Sequence, residues 1–152
     1  VTINAQAKGK TGEREICDLL RVESMRCFQE NAWIEQGDRD RIFASIQRNQ
    51  NQSAVGGHDI GFMGLSIEVK RCETLSVPQW WRQCVVSAGA AQARPVLIYR
   101  QNRKAWRVKM ETMLPIDRGS SSIWCTAEFE IDQFEIWLRL YIAAEVRAGR
   151  VP

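Results

Sequence analysis

The segment Asp59 to Lys70, DIGFMGLSIEVK, constrains this chain more than any other. Leu65, Ile67 and Val69 alternate with Ser66, Glu68 and Lys70, the period of a strand covered on one face. Met63-Gly64 ahead of it suits a two-residue hairpin turn, with Asp59 to Phe62 as the partner strand. In that register Phe62 lies across from Leu65, and Asp59 falls opposite Glu68. Directly opposed residues have Cβ atoms ~5 Å apart, where like charges destabilise. A fold keeps such a pair when a cation sits between the carboxylates. Mg²⁺ is the natural ion, because it takes one or two carboxylates and fills its remaining positions with water and phosphate oxygens. Lys70 projects beside Glu68, where an ammonium can orient an attacking water or stabilise charge developing on a phosphate.

The rest of the chain reads as elements around this hairpin. Thr11-Gly12-Glu13-Arg14-Glu15 resembles a helix start, with a capping-type Thr and acids in the first turn, and predicts a helix over about Gly12 to Glu30. Glu13 shares a face of it with Ile16 and Leu20, so a carboxylate at the edge of the buried stripe can reach the sheet. A second helix is expected within Asp38 to Gln47, and the polar stretch Arg48 to Gly57 reads as a loop. Pro78 suits the first turn of a helix with the stripe Trp81, Cys84, Val85 and Ala88. Pro95 to Tyr99 and Ala105 to Val108 read as strands, and Asp117 to Ser122 as a polar turn. A last helix, about Asp132 to Ala148, is apolar on more than one face: Phe134, Trp137, Leu138 and Tyr141, but also Ile136, Leu140 and Ala143. The expected fold is α/β, a central mixed β-sheet flanked by helices, in one domain spanning 1–152.

Five scattered cysteines without a CxxC pair and a single histidine, His58, argue against a zinc site and a disulfide framework. No apolar run approaches the ~20 residues needed to cross a bilayer, and Val1 to Lys10 lacks the apolar core of a secretory signal. The expectation is a cytoplasmic protein with no membrane partner. Net charge is only +3, but its distribution is one-sided. From Thr74 to Met110 there is no acid, against Arg82, Arg94, Arg100, Arg103, Lys104, Arg107 and Lys109. Such a face is either a solvated basic surface or the footprint of a polyanion.

The same residues carry a family likeness. Lys8-Gly9 followed by Glu13-Arg14-Glu15, then His58-Asp59-Ile60, Ile67-Glu68-Val69-Lys70, Arg94-Pro95-Val96-Leu97 and Ala105-Trp106-Arg107-Val108 resemble, in order, the motifs of archaeal-type Holliday-junction resolvases and their phage relatives in the PD-(D/E)XK nuclease superfamily. His58 stands where the superfamily's name has Pro, and the stretch between Glu13 and Asp59 is longer than in compact members. The resemblance implies a restriction-endonuclease-like domain and a homodimer that cuts four-way DNA junctions with Mg²⁺, or Mn²⁺ in its place. It assigns catalysis to Glu13, Asp59, Glu68 and Lys70, with Asp59, Glu68 and Glu13 as metal ligands and no small-molecule cofactor. DNA contacts are expected at Lys8, Lys10, Arg14, Arg48, Arg71, Gln83, Arg103 and Lys104. The competing readings are another nuclease on this fold, of repair or restriction type, and a DNA-binding module that has lost its chemistry.

Overall fold

The computed structural model describes residues 5–49, 57–119 and 121–152, with side chains from residue 9 onward. The elements run α1 (Ala5–Glu30), α2 (Gln36–Ser45), β1 (Ile60–Phe62), β2 (Leu65–Cys72), α3 (Val77–Ala90), β3 (Arg94–Gln101), β4 (Arg107–Pro115), β5 (Ser122–Glu130) and α4 (Ile131–Arg147). The strands form one mixed sheet in the order β1-β2-β3-β4-β5. Only β2 and β3 are parallel, joined by α3 as the crossover that parallel pairing requires. The architecture is the α/β one expected, with helices on both faces.

The hairpin register is the expected one. Phe62 pairs with Leu65 and Ile60 with Ile67, and the Asp59 amide donates to the Ile67 carbonyl at 3.0 Å. Met63 and Gly64 both have positive φ, 46° and 79°, the twist a two-residue hairpin turn needs. Two outside contacts pin this turn. The Tyr141 hydroxyl on α4 donates to the Met63 carbonyl at 2.7 Å, and the Arg94 amide donates to the Gly64 carbonyl at 2.8 Å. A slip of one residue would move Glu68 and Lys70 to the other face, so these contacts protect the site's geometry.

Alternation along the central strands sorts the core. Leu65, Ile67, Val69, Val96, Ile98 and Val108 pack with Ile16 and Leu20 of α1 and Phe134, Leu138 and Ile142 of α4. Leu97 and Tyr99 point the other way, onto Trp80 and Cys84 of α3. Arg139 of α4 joins the deeply buried Glu23 of α1 at 2.5 Å, a pair that couples the two helices.

Four expectations need correction. α1 begins at Ala5 instead of Gly12, because Ala, Gln and Lys residues ahead of Thr11 sustain a helix. Gly12 is an interior residue: a Cβ there would meet the Trp106 ring at 3.2 Å and Val69 at 3.4 Å, so its role is close approach of helix to sheet. The buried stripe of α3 is Trp80, Cys84 and Ala88, while Val85 is exposed, since the helix is turned by one residue from the predicted face. β4 starts at Arg107 and runs to Pro115, past the expected Val108. β5 was not anticipated. As an edge strand covered on only part of one face it exposes both Ile123 and Trp124, which erases the alternation that marks a strand.

Candidate active site

Three segments converge where β1 meets β2. β2 supplies Glu68 and Lys70, with Lys70 Nζ 2.5 Å from Glu68 Oε1. Asp59, just before β1, is buried, and its Oδ2 accepts a hydrogen bond from the Val69 amide at 2.6 Å. That bond to the neighbouring strand fixes the carboxylate's direction. α1, brought down by Gly12, supplies Glu13, which pairs through Oε2 with Arg48 Nη1 at 3.2 Å. Because α1 starts two turns before Glu13, this carboxylate sits in the helix interior and not in the first turn, where the helix dipole would hold an acid.

The charges feel one another. Burial raises Glu68 above the ordinary carboxyl value, and the fields of Asp59 and Glu13 add to it, against the lowering effect of Lys70. Burial raises Glu13 as well, followed by the field of Asp59, with Arg48 opposing. For Lys70, burial works against the ammonium, but the hydrogen bond and fields of Glu68 and Asp59 outweigh it and leave its value raised. The Cys84 thiol beneath this group is pushed up to about 12 by burial and then by Glu68, so it stays protonated and is no nucleophile.

These shifts set a pH dependence. A carboxyl whose folded value lies above its unfolded one contributes stability that is complete below the unfolded value and lost as pH rises through the folded value. Without divalent cation, the wild type should therefore gain stability relative to Glu68→Gln as pH falls from above the raised folded value of Glu68 toward the ordinary carboxyl range. Urea midpoints of both proteins across that range check this; a flat or opposite difference would mean that Glu68 is not held ionised in a poorly solvated place.

Among the described residues no group of three or more His, Cys, Asp or Glu side chains is placed to hold a metal ion, so Glu13 does not complete a three-carboxylate set with Asp59 and Glu68. The opposed Asp59 and Glu68 do fit an ion that asks for few protein ligands. Their donors are hard oxygens, they repel, and Glu68 meanwhile holds a lysine as its counter-charge. That is the ligand set Mg²⁺ accepts, with water and substrate oxygens making up the rest.

The expected DNA contacts scatter more widely. Arg14 and Lys10 are exposed on α1, and Lys10 is close enough for its charge to act on Glu13. The Lys8 side chain lies outside the described residues, as does most of the Arg48 to Gly57 loop. Gln83 is exposed on α3, and Arg103 and Lys104 are exposed on the β3–β4 turn, with Arg103 at φ 64°. Arg71 instead turns to α1, where Glu15 Oε1 accepts from its Nη1 at 3.0 Å. Glu15 also takes Arg100 at 2.8 Å and the Trp106 indole N–H at 3.2 Å, with Arg100 stacked 4.5 Å over that indole. The sequence hint for this network is the second glutamate of Glu13-Arg14-Glu15. His58 folds its ring over Gly61, where a Cβ would sit 2.7 Å from Nε2, so it acts within the hairpin.

The segment Trp33 to Gln47 also has a place. α2 buries Ile42, the flanking Ile34 and Ile46 are buried with it, and the chain returns to pair Arg48 with Ile60 beside β1. The insertion thus carries Arg48 to Glu13.

Among the described residues no helix is long and apolar enough to cross a membrane. Compared with known families, residues 4–136 match the family described as "Phage putative PDDEXK endonuclease". No curated protein and no solved structure matches the chain.

Proposed function

Since this chain belongs to the phage PD-(D/E)XK endonuclease family, we propose that it is a metal-dependent endonuclease that resolves four-way DNA junctions by phosphodiester hydrolysis. The observation that carries the chemistry is the convergence of Asp59, Glu68 and Lys70 where β1 meets β2, with Glu13 near enough for its charge to act on Glu68. In this reading Asp59 and Glu68 hold Mg²⁺, and Glu13 assists directly or through water. The ion, when bound, supplies a Lewis acid for the scissile phosphate and acidifies water. Lys70 places its ammonium where it can orient the attacking water and stabilise the charge that develops on phosphorus-bound oxygen. Arg48, which now neutralises Glu13, is positioned to turn to phosphate once substrate arrives. Asp59 does not swing, because the Val69 amide holds one of its oxygens.

Junction preference requires two such sites at fixed spacing, hence a homodimer. Support comes from α4, where Ile136 and Leu140 are 55% and 69% exposed on the face turned away from the core. Replacing Leu140 by Glu should give monomers that lose paired cutting and junction preference more than nonspecific DNA binding. The test is cleavage of labelled four-way junction, linear duplex and single strand, with and without Mg²⁺, together with sedimentation of both proteins. Preferential, symmetric cutting of junctions by a wild-type dimer is expected. Equal cutting of linear duplex, or a wild-type monomer at micromolar concentration, would leave a nuclease of broader specificity on the same fold.

A further inference from the structure

Next to Glu13 the surface opens into a cleft of about 430 Å³, of whose lining the cleavage scheme uses Arg48 alone. α1 contributes Arg14, Cys17, Asp18 and Arg21, and the end of the insertion contributes Gln47 and Arg48. Three guanidinium groups thus line it against one carboxylate, Asp18. Arg21 is fixed as a wall: its Nη1 bonds Asp18 Oδ1 at 2.9 Å and its Nη2 donates to the Ile46 carbonyl at 3.1 Å. Arg48 stands between the cleft and Glu13. Arg14 is exposed and enters no ion pair among the described residues, so its fork is available to a ligand.

The lining dictates what it can take. Planar guanidinium forks match phosphate oxygens in pairs. The volume exceeds that of a phosphate alone and suits a phosphate with its sugar. Among the described residues no aromatic ring lines the cleft, so they offer a base no stacking platform and their contacts carry no sequence information. We infer that this cleft is a backbone subsite: it holds the phosphate of the DNA strand next to the one presented to Asp59 and Glu68, between Arg14 and Arg48. The inference rests on the nuclease reading, and it gives the insertion a purpose, since the insertion builds the second wall of the cleft.

The test uses the full chain in chelator, where binding is read without cutting. Fluorescence anisotropy of a labelled oligonucleotide is followed over a salt series for wild type, Arg14→Gln and Arg118→Gln, the last an exposed arginine between β4 and β5. Arg14→Gln should bind about tenfold more weakly, with a log affinity against log salt slope shallower by about one. Arg118→Gln should match wild type, and both variants should melt like wild type. In a second arm, a nucleoside 3′,5′-bisphosphate should shift the amide resonances of Arg14 to Arg21 and of Gln47 and Arg48. An unchanged slope in Arg14→Gln, or an equal loss in Arg118→Gln, overturns the subsite. Metal-dependent cutting by the wild type is scored separately. Cutting with an unchanged slope sinks the subsite alone; the slope change without cutting sinks the nuclease reading alone.

Discussion

Asp59→Asn and Glu68→Gln should each reduce strand cleavage on the order of a thousandfold or more, while affinity for DNA in chelator stays close to that of the wild type. Both substitutions spare the local structure. An asparagine at position 59 can still accept the Val69 amide bond, leaving its NH₂ toward the site. A glutamine at 68 can still accept from Lys70. What each removes is one anionic oxygen of the proposed ligand pair and the repulsion that goes with it. Single-turnover rates at saturating Mg²⁺ against binding in chelator make the separation. Near-wild-type cutting by either variant would take that residue out of the metal site, and a parallel loss of binding would point to misfolding instead.

Lys70→Ala should likewise abolish turnover, by a factor on the order of a hundred to a thousand, yet bind divalent cation no more weakly. Lysine is not a ligand in this scheme. Its ammonium is the counter-charge of Glu68 at 2.5 Å, so it competes with a cation for that carboxylate. Its value to the reaction is confined to charge that appears in the transition state. Calorimetric titration with Mg²⁺ beside single-turnover cleavage measures both sides. A variant that still cuts at the wild-type rate would reduce Lys70 to a structural partner of Glu68. One that loses metal affinity along with activity would show that Lys70 shapes the ligand pair and does not act on phosphate.

The hairpin was legible because its information is local. Period-2 alternation sets the face, Met63-Gly64 sets the register, and together they bring Asp59 opposite Glu68 without help from the rest of the chain. The approach of Glu13 was legible only as a helical spacing. What brings it to the sheet is Gly12 lying against Val69 and Trp106, a contact between residues far apart in sequence that a local reading took for a helix start. Arg48 as the partner of Glu13 depends on how α2 folds back, and nothing in the polar run after Gln47 encodes that return. The Glu15 network has the same origin: Arg71 of β2, Arg100 of β3 and Trp106 just before β4 meet only in the folded sheet. β5 escaped notice because edge strands need not alternate, and its exposed Trp124 and Ile123 give no periodic signal.

If the buried acids at the β1–β2 edge form a metal centre, anomalous diffraction from crystals soaked in Mn²⁺ will locate the ion on them. One strong anomalous peak is expected, bonded to carboxylate oxygens of both Asp59 and Glu68 at about 2 Å, the distance a small hard divalent cation takes, with Glu13 in direct or water-mediated contact and Lys70 released from Glu68. A peak elsewhere on the molecule with these carboxylates unligated and Lys70 still on Glu68, or no peak at saturating Mn²⁺, would contradict the metal centre.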